Sequence, residues 1–267
     1  MTSATLPAPP IARAEPREYL SWSQISTYRS CPLKYYFKYV VGLPERQVSA
    51  SLVFGAAIHR AIQEHFERLL AGDSPPSPPV LLDAYHAEWR ERPEAAELDR
   101  SALDPLAARM LGLFQSHVAA RPSGRILAVE ETLQAPLLND APEFLGRVDL
   151  VTETADALVV SDWKTSRSRW SAEQAEDASE QLLLYAELVS GLAPHKPVRL
   201  EFVVLTKTKS PTLERFSFPA ERRRIERAKR AVERVWHAIA AEHFYPSPSP
   251  QHCGGCAFQA ACKRWPG

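Results

Sequence analysis

The spacing of apolar residues changes once along this chain, near residue 125, and that change restricts the fold more than any other feature. Before it the intervals are helical: Ile58, Ile62, Phe66 and Leu69 share one face of a helix placed after Gly55. A second helical stretch covers 81–121, interrupted at Pro93 and Pro105. After it, the segments 126–138, 144–153, 157–165, 198–207 and 213–218 read as strands, several with period two, and a helix over 172–190 separates the third from the fourth. This order predicts an α/β fold: a mixed central β-sheet flanked by helices, with a helical subdomain inserted before it. A long amphipathic helix over 220–242 follows, with Ile225, Val232, Val235 and Ile239 on its apolar side. Its other side carries Arg222, Arg223, Arg224, Arg227, Lys229, Arg230 and Arg234, which read as a solvated face before they read as a nucleic-acid groove.

The organisation expected from these patterns has five parts. Residues 1–19 form an Ala/Pro-rich flexible tail, 20–54 an aromatic-rich segment holding Cys31, 55–124 the helical region, 125–220 the core, and 221–267 the long helix with the other three cysteines. Only 10 of the 267 residues are Gly, and neither G-x-G-x-x-G nor G-x-x-x-x-G-K-[ST] occurs, so phosphate-loop ATP chemistry is excluded. The 32 basic residues balance 32 acidic ones, but unevenly: 15 against 20 up to Val159, and 17 against 12 from Val160 onward. The C-terminal half can therefore face a phosphate backbone although the whole chain is neutral. No apolar run approaches the ~18 residues of a membrane span, and the N-terminus has no basic stretch followed by an apolar one, so the expected location is cytoplasmic, with no membrane partner. In a reducing compartment Cys31, Cys253, Cys256 and Cys262 read first as free thiols or metal ligands rather than as two disulfides.

Chemistry concentrates in two lines of sequence. Gly146-Arg147-Val148-Asp149 and Val159-Val160-Ser161-Asp162-Trp163-Lys164 each set an acid within an apolar strand. Period two puts Asp162 and Lys164 on one sheet face. A carboxylate leaves water at high cost unless it is paired or bound to a cation, so the pattern is an internal ion pair, a cation site, or a solvated sheet edge. Gln181 and Tyr185, four apart, share a face of the helix after the Asp162 strand. His59, four residues beyond Gly55 at a helix start, is a further possible ligand. Each of these is an ordinary structural side chain when taken alone; together they converge on one place. Arg29, Lys34 and Lys38 alternate with Tyr35, Tyr36, Phe37 and Tyr39, a pattern that suits either base stacking or packing around a metal site.

With those residues in view, the chain resembles the PD-(D/E)XK nuclease superfamily, specifically its RecB-like branch with the AddB-like and CRISPR-associated exonucleases. Gly55-Ala-Ala-Ile-His59 is similar to that family's G-x-x-x-H motif, Gly146-Arg-Val-Asp149 to its second motif, Asp162-Trp-Lys164 to its D-x-K signature, and Gln181-Leu-Leu-Leu-Tyr185 to its Q-x-x-x-Y motif. The segment from Ser21 to Pro32 resembles the opening of the cluster-bearing members. The resemblance implies a restriction-endonuclease-like core and a metal-dependent DNA exonuclease or end-processing nuclease. It further implies Mn²⁺ or Mg²⁺ held by His59, Asp149, Asp162 and the Trp163 carbonyl, with Lys164 orienting or deprotonating the attacking water and Gln181 and Tyr185 supporting Lys164 and the DNA backbone. Cys253, Cys256 and Cys262, a C-x2-C-x5-C group, with the distant Cys31, then look like the ligands of a [4Fe-4S] staple joining the two ends of the chain, Zn²⁺ on four thiolates being the alternative. The partner implied is DNA, single-stranded by preference, in repair, recombination or CRISPR adaptation, with a helicase or CRISPR integrase as a further partner. Two other functions stay open on sequence: a DNA-binding accessory subunit of a helicase–nuclease or integrase complex, and a zinc-stapled interaction protein whose strand acids are only ion pairs.

Overall fold

The computed structural model describes residues 18–45, 49–92, 95, 98–122 and 124–266. The tail expected over 1–19 lies outside these but for Glu18 and Tyr19, as does Pro93. In chain order the elements are β1 (Tyr19–Ser21), α1 (Trp22–Ser30), α2 (Pro32–Tyr35), a π-helical turn (Tyr36–Val40), α3 (Ala50–Leu70), α4 (Pro78–Arg90) and α5 (Leu103–Ser116). There follow β2 (Arg125–Ala135), β3 (Glu143–Glu153), β4 (Leu158–Ser166), α6 (Ala172–Asp177), α7 (Glu180–Val189), β5 (Val198–Thr206), β6 (Leu213–Pro219), α8 (Arg222–Ala240), α9 (Pro250–Cys253) and α10 (Gln259–Cys262). No helix among the described residues is long and apolar enough to cross a membrane.

The chain divides into two compact units, one of residues 49–231 and one combining 18–45 with 232–266. In the larger unit the strands run β2-β3-β4-β5-β6, all neighbours antiparallel except β4 and β5. That one parallel pair needs a crossover, which α6 and α7 supply. The mixed sheet flanked by helices is therefore as the apolar periods predict.

Three boundaries differ from the pattern, each for a local reason. Helix α3 starts at Ala50, not after Gly55, because the Ser49 side chain caps it by accepting from the Leu52 amide. Gly55 is interior to the helix, where a Cβ would sit 3.0 Å from Thr165 Oγ1, so its smallness serves a close approach to β4 rather than a boundary. His59 consequently lies in the third turn, not at a helix start. Pro105 does not interrupt α5; it is the third residue, where its missing N–H would have had no intrahelical partner. The 172–190 helix is two helices, broken at Ser179, whose hydroxyl donates to the Glu176 carbonyl at 2.6 Å and accepts from Arg224 at 2.9 Å.

The main core of this unit joins α3, α4 and α5 to one face of the sheet: Phe54, Ile58, Phe66, Tyr85, Met110 and Phe114 meet Leu150, Trp163, Val203 and Leu205. His65 is buried there, edge-on to Phe66 and Phe114, with Nε2 donating to the Ala120 carbonyl at 2.8 Å and Nδ1 without a partner. Burial pulls its pKa below the ordinary value, outweighing the hydrogen bond to Ala120, and the nearby Arg121 charge lowers it further. The unfolded chain takes up this proton near pH ~6.5, whereas the native state stays neutral to a lower pH. Stability therefore falls as pH drops below ~6.5, by at most about 1.4 kcal/mol per pH unit from this group, and is indifferent to it above. Urea midpoints measured near neutrality and near pH ~5.5 should differ less in His65→Gln than in the wild type; an equal difference in both would remove His65 as the source.

The smaller unit packs largely through aromatic rings. Tyr35 stacks on Phe244, Tyr36 meets Trp265, Phe37 meets Phe258, and the Tyr28 hydroxyl donates to the His243 carbonyl at 2.7 Å. These rings are committed to packing, which favours the structural over the base-stacking use of Tyr35, Tyr36 and Phe37. Lys38 pairs with Glu45 at 2.8 Å.

Candidate active site

The site of the larger unit lies where two strands part. Strand β3 pairs with β4 only from Leu150↔Ser161 to Glu153↔Leu158; beyond that point β4 continues along β5 while β3 continues along β2. Asp149 and Asp162 are the first residues past the fork. The gap is bridged by one hydrogen bond, the Trp163 amide donating to Asp149 Oδ2 at 2.8 Å. The Trp163 ring points into the α3/α5 core against Phe66 and Phe114.

Asp149 has two further neighbours. His59 Nδ1 from α3 lies 3.7 Å from its Oδ2. The register Val129↔Leu150 and Glu131↔Val148 sets Glu130 opposite it on β2. His59, Glu130 and Asp149 offer ligand atoms all within 4.8 Å of one another. Glu130 was not singled out from the sequence, where Glu130-Glu131 looks like a solvated strand edge; only the β2–β3 register tells which of the two meets Asp149. Like charges directly opposite on paired strands repel. Glu130 also holds a left-handed backbone, φ 49°, which few non-glycine residues adopt. Burial first and the Asp149 charge second push its carboxyl up, against the pull of Arg147 and His59. Arg147 Nε contacts Glu130 Oε2 at 2.9 Å.

Asp162 stands apart from that trio and faces Lys164, whose Nζ is 2.6 Å from Oδ2, as their shared strand face predicts. Asp162 is only 4 % exposed, and its Oδ2 is held by the Lys164 ammonium. Burial, then the Asp149 charge, pushes its carboxyl up to about 6 in spite of Lys164. Burial alone would lower Lys164, but the Asp162 and Asp149 charges outweigh it and hold the ammonium charged. Three carboxylates thus face two cations, Lys164 and Arg147. A buried carboxylate oxygen with unused capacity, two more carboxylates and an imidazole form a hard, mostly oxygen donor set, which fits Mg²⁺ or Mn²⁺.

Helix α7 closes the other side. Gln181 Nε2 donates to the Tyr185 hydroxyl at 2.8 Å, and burial raises the Tyr185 pKa so that the phenol stays neutral. Gly146 explains part of the G-R-V-D pattern: a Cβ there would lie 2.6 Å from both Tyr185 Cε1 and Leu188 Cδ1. Gly146→Ala should therefore force α7 outward, at a cost of about 1–3 kcal/mol, and lower Tm by about 2–4 °C per kcal/mol. A thermal melt unchanged from wild type would show that the helix yields freely.

In the smaller unit Cys31, Cys253, Cys256 and Cys262 line one pocket of about 260 Å³, together with Leu33, Phe37 and Phe258. None of the four is in a disulfide. Burial and the neighbouring three thiols raise the Cys262 pKa. On the basic helix α8, Arg224 and Lys229 are tied to Glu176 and Glu187 at 2.7 and 3.2 Å, which makes this face partly self-compensated.

Residues 19–263 match the family model of the PD-(D/E)XK nuclease superfamily. No curated protein matches the chain. Among solved structures, a "Putative exonuclease" from Eubacterium rectale aligns with TM-score 0.59 at 13% identity, covering 92% of this chain and 88% of the other, a likeness of fold. The protein SSO0001 aligns over 78% of this chain and 94% of its own, at 18% identity and TM-score 0.36, too low to carry an argument.

Proposed function

Since the chain belongs to the PD-(D/E)XK nuclease superfamily, and so to a class of phosphodiester hydrolases, we propose that the β3/β4 fork hydrolyses the backbone of DNA, with unpaired strands preferred and Mg²⁺ or Mn²⁺ required. The observation that carries this reading is the charge balance at the fork: three carboxylates against two cations repel a phosphate unless a divalent ion is added.

Asp149 and Asp162, with His59 and Glu130, would hold the ion. When bound, the ion supplies positive charge at the scissile phosphate and lowers the pKa of the attacking water. Lys164, kept protonated by its two acidic neighbours, donates rather than accepts: it orients the water and stabilises charge growing on the phosphoryl oxygens. Asp162 holds Lys164 in place, and Asp149 is fixed by the Trp163 amide. Gln181 and Tyr185 position the Lys164 side of the cleft. Preference for a single strand is supported by the recessed acids, Asp149 having a side chain only 15% exposed, while the cationic excess after Val159 suits a phosphate backbone of either form.

In the smaller unit the four thiols around one pocket support a metal staple. The staple proposed is a [4Fe-4S] cluster, in which each thiolate binds a different iron, with Zn²⁺ on the four thiolates as the alternative.

End-labelled single-stranded and blunt duplex DNA, incubated with the protein and Mg²⁺, Mn²⁺ or EDTA, tests the reading. Metal-dependent cleavage of the single strand is expected, with binding whose logarithm falls by about 0.7 per contacted phosphate against log salt. Equal affinity for both forms, or affinity flat in salt, would refute the strand preference. No cleavage with either ion would refute the nuclease reading.

A further inference from the structure

We propose that Arg147 is a partner-exchanging, substrate-positioning residue: it neutralises Glu130 until a divalent ion takes that carboxylate, and then turns its guanidinium to a backbone phosphate of the bound strand. The inference rests on the nuclease reading above and adds a residue and an order of events to it.

The geometry supplies each part. Strand period puts Arg147 and Asp149 on one face of β3, and the register Thr132↔Arg147 sets Arg147 diagonally beside Glu130. Its Nε lies 2.9 Å from Glu130 Oε2, on the carboxylate that also belongs to the His59, Glu130 and Asp149 trio. The two ends of this pair are unequally placed: the Glu130 side chain is 11% exposed, the Arg147 side chain 68%. Glu130 is thus held at the site while the guanidinium reaches open solvent. Ion pairs of mainly exposed arginines add little stability, so this one separates easily once a doubly charged ion competes for the carboxylate. The freed group is a planar fork of donors matched to phosphate oxygens, two residues along the strand from Asp149. Lys164 is unsuited to this exchange, since its Asp162 partner is buried and it sits 35% exposed.

The test separates this exchange from a fixed contact. Mn²⁺ binding without DNA is followed by the electron paramagnetic resonance signal of the free ion, and binding of a labelled single-stranded oligonucleotide is measured in EDTA and in Ca²⁺. Arg147→Gln should bind Mn²⁺ several-fold more tightly than wild type, because the competing cation is gone. It should bind the oligonucleotide about tenfold more weakly in Ca²⁺, with a log–log salt slope shallower by about 0.7, yet match wild type in EDTA. Arg147→Lys should recover part of the Ca²⁺-dependent affinity. An equal loss of DNA affinity with and without metal would mean a permanent phosphate contact and overturn the exchange. Weaker Mn²⁺ binding by Arg147→Gln would mean that Arg147 merely props up Glu130, which overturns it as well. Wild-type protein that binds neither Mn²⁺ nor DNA would refute the nuclease reading itself, and this inference with it.

Discussion

Asp149→Ala and Asp162→Ala should each reduce phosphodiester cleavage by several powers of ten, measured as initial rates on labelled single-stranded DNA at saturating Mg²⁺ or Mn²⁺. Losing either carboxylate removes water activation and charge compensation at the phosphate together, which is why the fall is not a modest one. Stability is expected to move differently. Asp162→Ala strands the Lys164 ammonium but also relieves the repulsion between Asp162 and Asp149, so its melting temperature should fall less than that of Lys164→Ala. Lys164→Ala should match the loss in rate but unfold more easily, because it strands the Asp162 charge; losing one partner of a buried pair costs up to about 3–5 kcal/mol. Near wild-type turnover by Asp162→Ala under matched metal would remove the fork as the reacting centre.

The second large effect concerns the thiols. Protein purified without oxygen should be brown, with iron and sulfide in equal amounts, and Cys31→Ser or Cys256→Ser should bleach it and sharply lower its thermal stability. Cys31 and the other three come from opposite ends of the sequence, so their shared ligand closes a loop of more than 200 residues and its binding energy is folding energy. A colourless protein with stoichiometric zinc would replace the cluster by a single ion.

What could be read from sequence follows the range of the forces involved. Asp162 and Lys164 were legible because a strand alternates strictly, so two residues apart means one face. Gln181 and Tyr185 were legible for the same local reason on a helix. The Arg125–Ala135 strand was legible as a strand, but Glu130 within it was not legible as a site residue. Its partner Asp149 is nineteen positions away, and only the antiparallel register brings the two together. Gly55 misled for a tertiary reason. A glycine followed by a helical pattern looks like a boundary, whereas here the missing side chain makes room for Thr165, more than a hundred residues on. The break at Ser179 was likewise hidden, being fixed by Arg224 from another helix.

The hairpin joining β3 to β4 sits at the far end of both strands from the fork. The Thr154 amide donates to the Ala157 carbonyl at 2.9 Å, and the Ala157 amide donates back to the Thr154 hydroxyl at 3.0 Å. The register of Asp149 against Asp162 is held by the four pairs between this turn and the fork, Leu150↔Ser161 to Glu153↔Leu158, and by the parallel ladder of β4 along β5. A slip of one residue in that pairing would carry Asp162 and Lys164 to the opposite side of the sheet while leaving every one of their atoms in the chain. A residue inserted in the turn is absorbed at the surface as long as those pairs hold, so acids thirteen residues apart are placed by the ladder and not by the length of the loop that joins their strands.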